Sequence, residues 1–91
     1  MSGARWTLIV AASVDRTLHR LPEKAAPAVV EFMIGAPLED PHRVGHPLRR
    51  EHAGLWSARR GPYRVVYEID EDRHEVHVLR VDHRADVYRP R

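Results

Sequence analysis

Cysteine is missing from this 91-residue chain. Without a thiol there is neither a disulfide framework nor a thiolate metal site, and nothing argues for an oxidising compartment. The cytoplasm is the expected setting. Long apolar runs are missing as well. The stretch from Trp6 to Ala12 is too short to span a bilayer and lacks the charged start and cleavage site of a signal peptide, so it reads as a strand and no membrane partner is expected. No Gly-rich phosphate loop, no Ser-His-Asp arrangement, no repeat and no low-complexity segment is present. Lysine is nearly absent: Lys24 is the only one, so the rest of the 15 basic residues are arginine.

What is present fits one small globular unit. Hydrophobic residues make up 43% and charged residues 31%, away from the composition of disordered chains, and the length allows a single core. The net charge is only +2, but its distribution is uneven. From His42 to Tyr67 the ionised residues are Arg43, Arg49, Arg50, Arg59, Arg60 and Arg64 against the single acid Glu51, whereas Glu68 to Glu75 is strongly acidic. Guanidinium groups donate paired hydrogen bonds to phosphate and stack on bases, so a clustered arginine surface points to a polyanion.

The apolar spacing gives an α+β order. Arg5 to Val10 is β-prone; Ser13 is placed to cap a helix with Val14, Leu18 and Leu21 on its apolar side; Leu21-Pro22 ends it. A second helix is expected from about Glu23 to Ile34, starting at Ala25 or Ala26 if Pro27 is to be accommodated, and Gly35 stops it. Ala36 to Pro47, with Pro37, Pro41, Gly45 and Pro47, reads as a loop. Three strands follow, Leu55 to Arg60, Tyr63 to Ile69 and Glu75 to Val81, turned at Gly61-Pro62 and at Asp70 to His74, an antiparallel meander. The fold expected is an N-terminal strand and a two-helix hairpin packed on a small antiparallel sheet, with a short helical turn at Arg84 to Tyr88, all one domain.

Alternation along the middle strand places Tyr63, Val65, Tyr67 and Ile69 on a core face and Arg64, Val66 and Glu68 on the other. Whether Arg59 or Arg60 joins Arg64 depends on the hairpin register. Arginines on a strand usually form a solvated face, but a cluster of them is electrostatically costly unless an anion is meant to sit there. His42 and His46 are four apart, which on a helix would place them on one face, but they lie in a Pro/Gly loop, and His52 has no regular spacing to them, so no metal site is expected. Trp56, beside Leu55, reads as a core or interface residue.

The run Pro47-Leu48, Gly54-Leu55, Arg59-Arg60-Gly61-Pro62-Tyr63-Arg64-Val65-Val66-Tyr67, followed by Val81-Asp82-His83-Arg84-Ala85-Asp86-Val87-Tyr88, resembles the RelE/ParE superfamily of bacterial toxins. The resemblance covers nearly the whole chain. It implies a type II toxin that cuts messenger RNA in the ribosomal decoding site by attack of a 2′-hydroxyl on the adjacent phosphate. That chemistry asks for a proton acceptor, cations on the phosphorane and a proton for the departing 5′-oxygen. On this pattern Arg64 is the central phosphate-stabilising arginine, Arg59 the second hairpin arginine, Arg84 the basic residue after the last strand and Tyr88 the late tyrosine that orients a base. Arg49, Arg50 and Arg60 would add RNA-binding charge. The chain departs from the best-known member at Leu55, Ser57 and Ala58, where that member carries lysines; His83 is then the candidate for proton transfer, since other members of the group use histidines. The expected partners are a RelB-like antitoxin, the ribosome and its message, with no cofactor. The alternatives are a ParE-like gyrase poison and a catalytically weak member that only binds its antitoxin.

Overall fold

Local chemistry sets each element, and the last strand joins them. The computed structural model describes residues 5–22, 24–49 and 53–83. Its elements are β1 (Thr7–Val10), α1 (Ala12–Arg20), α2 (Ala25–Met33), α3 (Ala36–Glu39), α4 (Pro41–Val44), β2 (His46–Pro47), β3 (Leu55–Arg60), β4 (Tyr63–Asp70) and β5 (Glu75–His83).

Ser13 does not cap α1. Ala11 occupies that position with no side-chain cap bond, its N–H going to the Val78 carbonyl, while the Ser13 carbonyl accepts the Thr17 hydroxyl at 3.0 Å inside the helix. Asp15 in the first turn and His19 and Arg20 in the last match the helix dipole. Leu21 is forced into extended backbone before Pro22, which stops the helix. The second helix starts at Ala25, with the Ala25 and Ala26 N–H groups donating to the Pro22 carbonyl, so Pro27 falls in the first turn where no N–H is needed. Glu23 lies outside the described residues.

The segment Ala36 to Pro47 is not simply a loop. It holds two single-turn helices and the two-residue strand β2, because Pro37 and Pro41 each sit at a helix start, where proline starts a turn instead of breaking one. The sheet also differs from a purely antiparallel one. Its order is β1-β5-β4-β3-β2, and β1 runs parallel to β5 with Thr7 opposite Glu75 and Val10 opposite Val78. The other pairs are antiparallel, and Gly61, with φ of 59°, makes the two-residue β3–β4 turn possible.

Helices α1 and α2 cover one face of this sheet. Val14, Val29, Met33 and Leu38 meet Ala58, Tyr63, Val65, Tyr67, Val76, Val78 and Val81 in one buried cluster, which Trp56 joins from its rim. Along β5 the buried residues fall at Val76, Val78 and Val81, a step of two and then of three. The register explains the change: Tyr67 opposes Val78 and Val66 opposes Arg80, so Leu79 is an extra residue, a β-bulge. No helix among the described residues is long and apolar enough to cross a membrane. The expected helical turn at Arg84 to Tyr88 lies outside the described residues.

Candidate functional site

The β3–β4 register settles which arginine joins Arg64. Arg59 stands directly opposite it, while Arg60 opposes Tyr63 and so shares the helix-covered side. Directly opposed like charges destabilise a sheet. Neither Arg59 nor Arg64 makes an ion pair or hydrogen bond among the described residues. Two guanidinium groups opposite each other on paired strands, with their donors uncommitted among the described residues, have the chemistry to hold an anion such as phosphate.

Reading across the uncovered face from that end, the first row is Arg59, Arg64 and Asp82, and the second is Ser57, Val66 and Arg80. A third row carries Leu55, Glu68 and His77, and a fourth Asp70 and Glu75. The face is therefore basic at the β3–β4 turn and acidic at the β4–β5 turn. Between the ends lies a depression of about 310 Å³ lined by Leu48, Leu55, Arg64, Val66, Leu79 and Arg80. Sequence reasoning missed Arg80. Strict alternation from Val76 and Val78 would have turned it inward, and the signal was the three-residue step to Val81.

The remaining expected site residues are scattered. Arg49 is exposed just beyond β2, next to Leu48, whose N–H bonds the Leu55 carbonyl. His83 opposes Tyr63, so its ring stands on the helix-covered side, edge-on to Tyr63 at 5.1 Å, whereas Asp82 is the residue that faces Arg64. Arg50, Arg84 and Tyr88 lie outside the described residues.

The acidic end is internally occupied. His77 Nε2 lies 2.8 Å from Glu75 Oε1, Asp70 Oδ1 accepts the Arg73 N–H, and His42 Nε2 meets Glu71 at 2.5 Å. Asp70, Glu75 and His77 bring ligand atoms within 4.8 Å of one another, the one metal-capable grouping among the described residues, and it lies away from the arginines. Of the other histidines considered for a metal, His42 is wedged between Trp6 and Trp56 and His46 sits on edge strand β2.

Beneath the sheet, Tyr67 anchors the arrangement. Its hydroxyl donates to the Pro41 carbonyl at 2.6 Å, and burial, then the charge of Asp40, push its pKa up to about 12. Gly45 passes so close that a Cβ there would meet the Tyr67 hydroxyl and lie 2.8 Å from the Ser57 carbonyl oxygen.

Comparison with known proteins gives a consistent answer. Residues 7–88 match the family model described as the ParE toxin of the type II toxin-antitoxin system parDE. The chain is 52% identical over 84 residues to Toxin RelG of Mycobacterium tuberculosis, covering 92% of this chain and 97% of that one. It is 51% identical over 80 residues to Toxin RelE of the same organism, covering 88% and 82%. Among solved structures it is similar to the RelBE2 toxin-antitoxin complex of M. tuberculosis, with 51% identity, a TM-score of 0.86 and coverage of 91% and 95%. The isolated RelE toxin of E. coli is similar in fold, with a TM-score of 0.70 at 15% identity and coverage of 86% and 83%.

Proposed function

Since the chain belongs to the ParE toxin family of type II toxin-antitoxin systems, we propose that it is the ribosome-dependent endoribonuclease of such a system. Its partner is a RelB-type antitoxin, the kind of chain found with its structural neighbours. The observation that carries the nuclease reading is the opposition of Arg59 and Arg64, two guanidinium groups with no internal counter-ion among the described residues.

In this reading the message strand lies along the uncovered face with its scissile phosphate on Arg64 and Arg59. The 2′-oxygen attacks phosphorus, its proton passes to a base, and the 5′-oxygen leaves with a proton, giving a 2′,3′-cyclic phosphate and a free 5′-hydroxyl. The arginines contribute most where negative charge accumulates on the phosphorane, because their positions are fixed before the reaction. No step needs a metal ion. Arg84 and Tyr88 complete the proposal from sequence alone, as the basic residue and the tyrosine that follow the last strand. His83 stands on the far side from Arg64, which favours a place at the sheet's end over proton transfer at the phosphate. An acidic antitoxin segment laid over the same arginines would block the message by competition. A translated message places the working protein in the cytoplasm.

The second reading is a gyrase poison, favoured by Leu55, Ser57 and Ala58 in place of lysines. The two relatives at about half identity, named RelG and RelE, favour the nuclease. Expression of the isolated chain followed by mapping of cellular 5′ ends decides between them. Codon-phased cuts in translated regions are expected; DNA damage without such cuts would overturn the nuclease reading.

A further inference from the structure

The bulge at Leu79 does something specific. By adding one residue to β5 it returns Val81 to the core and turns Arg80 out onto the face that carries Arg64, in the next row. Two residues along a strand advance the chain by roughly 7 Å, so the two guanidinium-bearing rows are about one nucleotide apart. Arg80 is also held in place. Its Nε donates to Asp82 Oδ2 at 2.6 Å, with the arginine side chain 59% exposed and the carboxylate 22%. That bond uses the Nε edge and leaves the terminal nitrogens for a ligand. Beside Arg80 and Arg64 the floor of the depression is apolar: Leu48, Leu55 and Leu79 line it with Val66, which is only 3% exposed although it lies on the uncovered face. At about 310 Å³ the depression is in the lower range of small-ligand clefts.

We infer that this depression is a nucleotide subsite: one base of the RNA lies on the Leu48, Leu55 and Leu79 floor, with its flanking phosphates on Arg64 and on Arg80. Asp82 is the positioning residue that aims Arg80. An apolar slot rimmed by two cations from adjacent rows matches a strand that alternates bases with phosphates. A carboxylate-bearing protein segment would satisfy the cations and leave the slot without a planar occupant. The inference rests on the RNA reading above but is measured without cleavage.

The test titrates a nucleoside 5′-monophosphate, and separately a short single-stranded RNA, into the isolated full chain while following the methyl resonances of Leu55, Val66 and Leu79. The monophosphate should shift those methyls, and inorganic phosphate alone should not. For the RNA, Arg80→Ala should weaken binding about tenfold and lower the slope of log affinity against log salt by about 0.7, the value for one single-strand phosphate. Arg80→Lys should restore only part of the affinity. Asp82→Asn carries the sharpest sign. Removing a negative charge from a basic face should tighten RNA binding if only net charge matters, whereas loss of the guanidinium's orientation should weaken it severalfold.

Wild-type binding by Arg80→Ala, tighter binding by Asp82→Asn, or shifts reproduced by phosphate or by an acidic peptide but not by the nucleotide would each overturn the subsite. If binding fails while codon-phased cleavage persists, the subsite falls and the nuclease stands. If binding holds and cleavage is absent, the reverse is true.

Discussion

The two sides of β4 are made by alternate residues of one strand, yet they are built to opposite rules. On the helix-covered side every buried polar side-chain atom is settled: the Tyr67 hydroxyl has the Pro41 carbonyl, and no buried side-chain nitrogen or oxygen lacks a partner among the described residues. On the other side Arg64 faces Arg59 across the hairpin with no ion pair or hydrogen bond of its own among the described residues. The contrast separates what holds the fold from what the fold holds. Arg64 can be removed without disturbing packing, and Tyr67 cannot.

The strongest way to break that separation is Arg64→Ala. It should leave the unfolding midpoint unchanged while reducing ribosome-dependent cleavage on the order of 100-fold or more, and Arg64→Lys should recover only part of the loss because an ammonium cannot reproduce the paired geometry. A drop in stability matching the loss of activity would merge the two sides into one.

Gly45→Ala probes the opposite side. The new methyl must displace the Tyr67 hydroxyl or the Ser57 carbonyl, and overpacking of this kind costs typically 1–3 kcal/mol. Denaturant unfolding should show it, with the cleavage rate per folded molecule unaltered.

Tyr67 gives the same contrast a pH dependence. Its pKa rises from 10.0 free to about 12 in the fold, so the folded protein holds the proton more tightly. The associated stability is fully present below pH 10 and drains away as pH climbs towards 12, at no more than about 1.4 kcal/mol per pH unit. Tyr67→Phe should abolish that part of the alkaline slope and, by leaving the Pro41 carbonyl unpaired, cost about 1–3 kcal/mol at neutral pH. An unchanged alkaline transition would show that the hydroxyl is not buried as described.

The smallest effect is expected at His83. Because its ring lies against Tyr63 and not beside Arg64, His83→Gln should change the cleavage step at saturating ribosome by less than about twofold, with the pH profile kept. Loss of an ionisation near neutrality would instead assign proton transfer to the edge of the sheet.

Much of this architecture was legible in sequence because it is written in short-range pattern. The alternation of Tyr63, Val65 and Tyr67 gave β4 and its core side, and Gly61-Pro62 gave the turn that pairs β3 with it. Three features escaped for different reasons. The turns α3 and α4 were hidden because Pro37 and Pro41 break a helix in its interior but start one at its first turn. The parallel partner of β1 was hidden because nothing local in Thr7 to Val10 specifies a strand 68 positions away, at the offset seen between Thr7 and Glu75. Arg80 was hidden because a single extra residue, Leu79, inverts the sense of every position after it. Arg59 and Arg64 were singled out because the hairpin motif carries them, but their sharing of one face waited on the register.

The strand order has a consequence in time. β5 lies between β1 and β4, so the second-last strand position in space is filled by the last strand in sequence, and β1 has no neighbour until β5 has been made. Val76, Val78 and Val81, all in the core, arrive together with it. A growing chain that has reached only Asp70 can form the β3–β4 hairpin and the helices but has nothing to close them around, and pairings this distant in sequence are the slow ones. Arg80 and Asp82 thus join Arg59 and Arg64 only once β5 has been made. Limited proteolysis of chains stalled before Glu75 should find β1 unprotected until β5 is released.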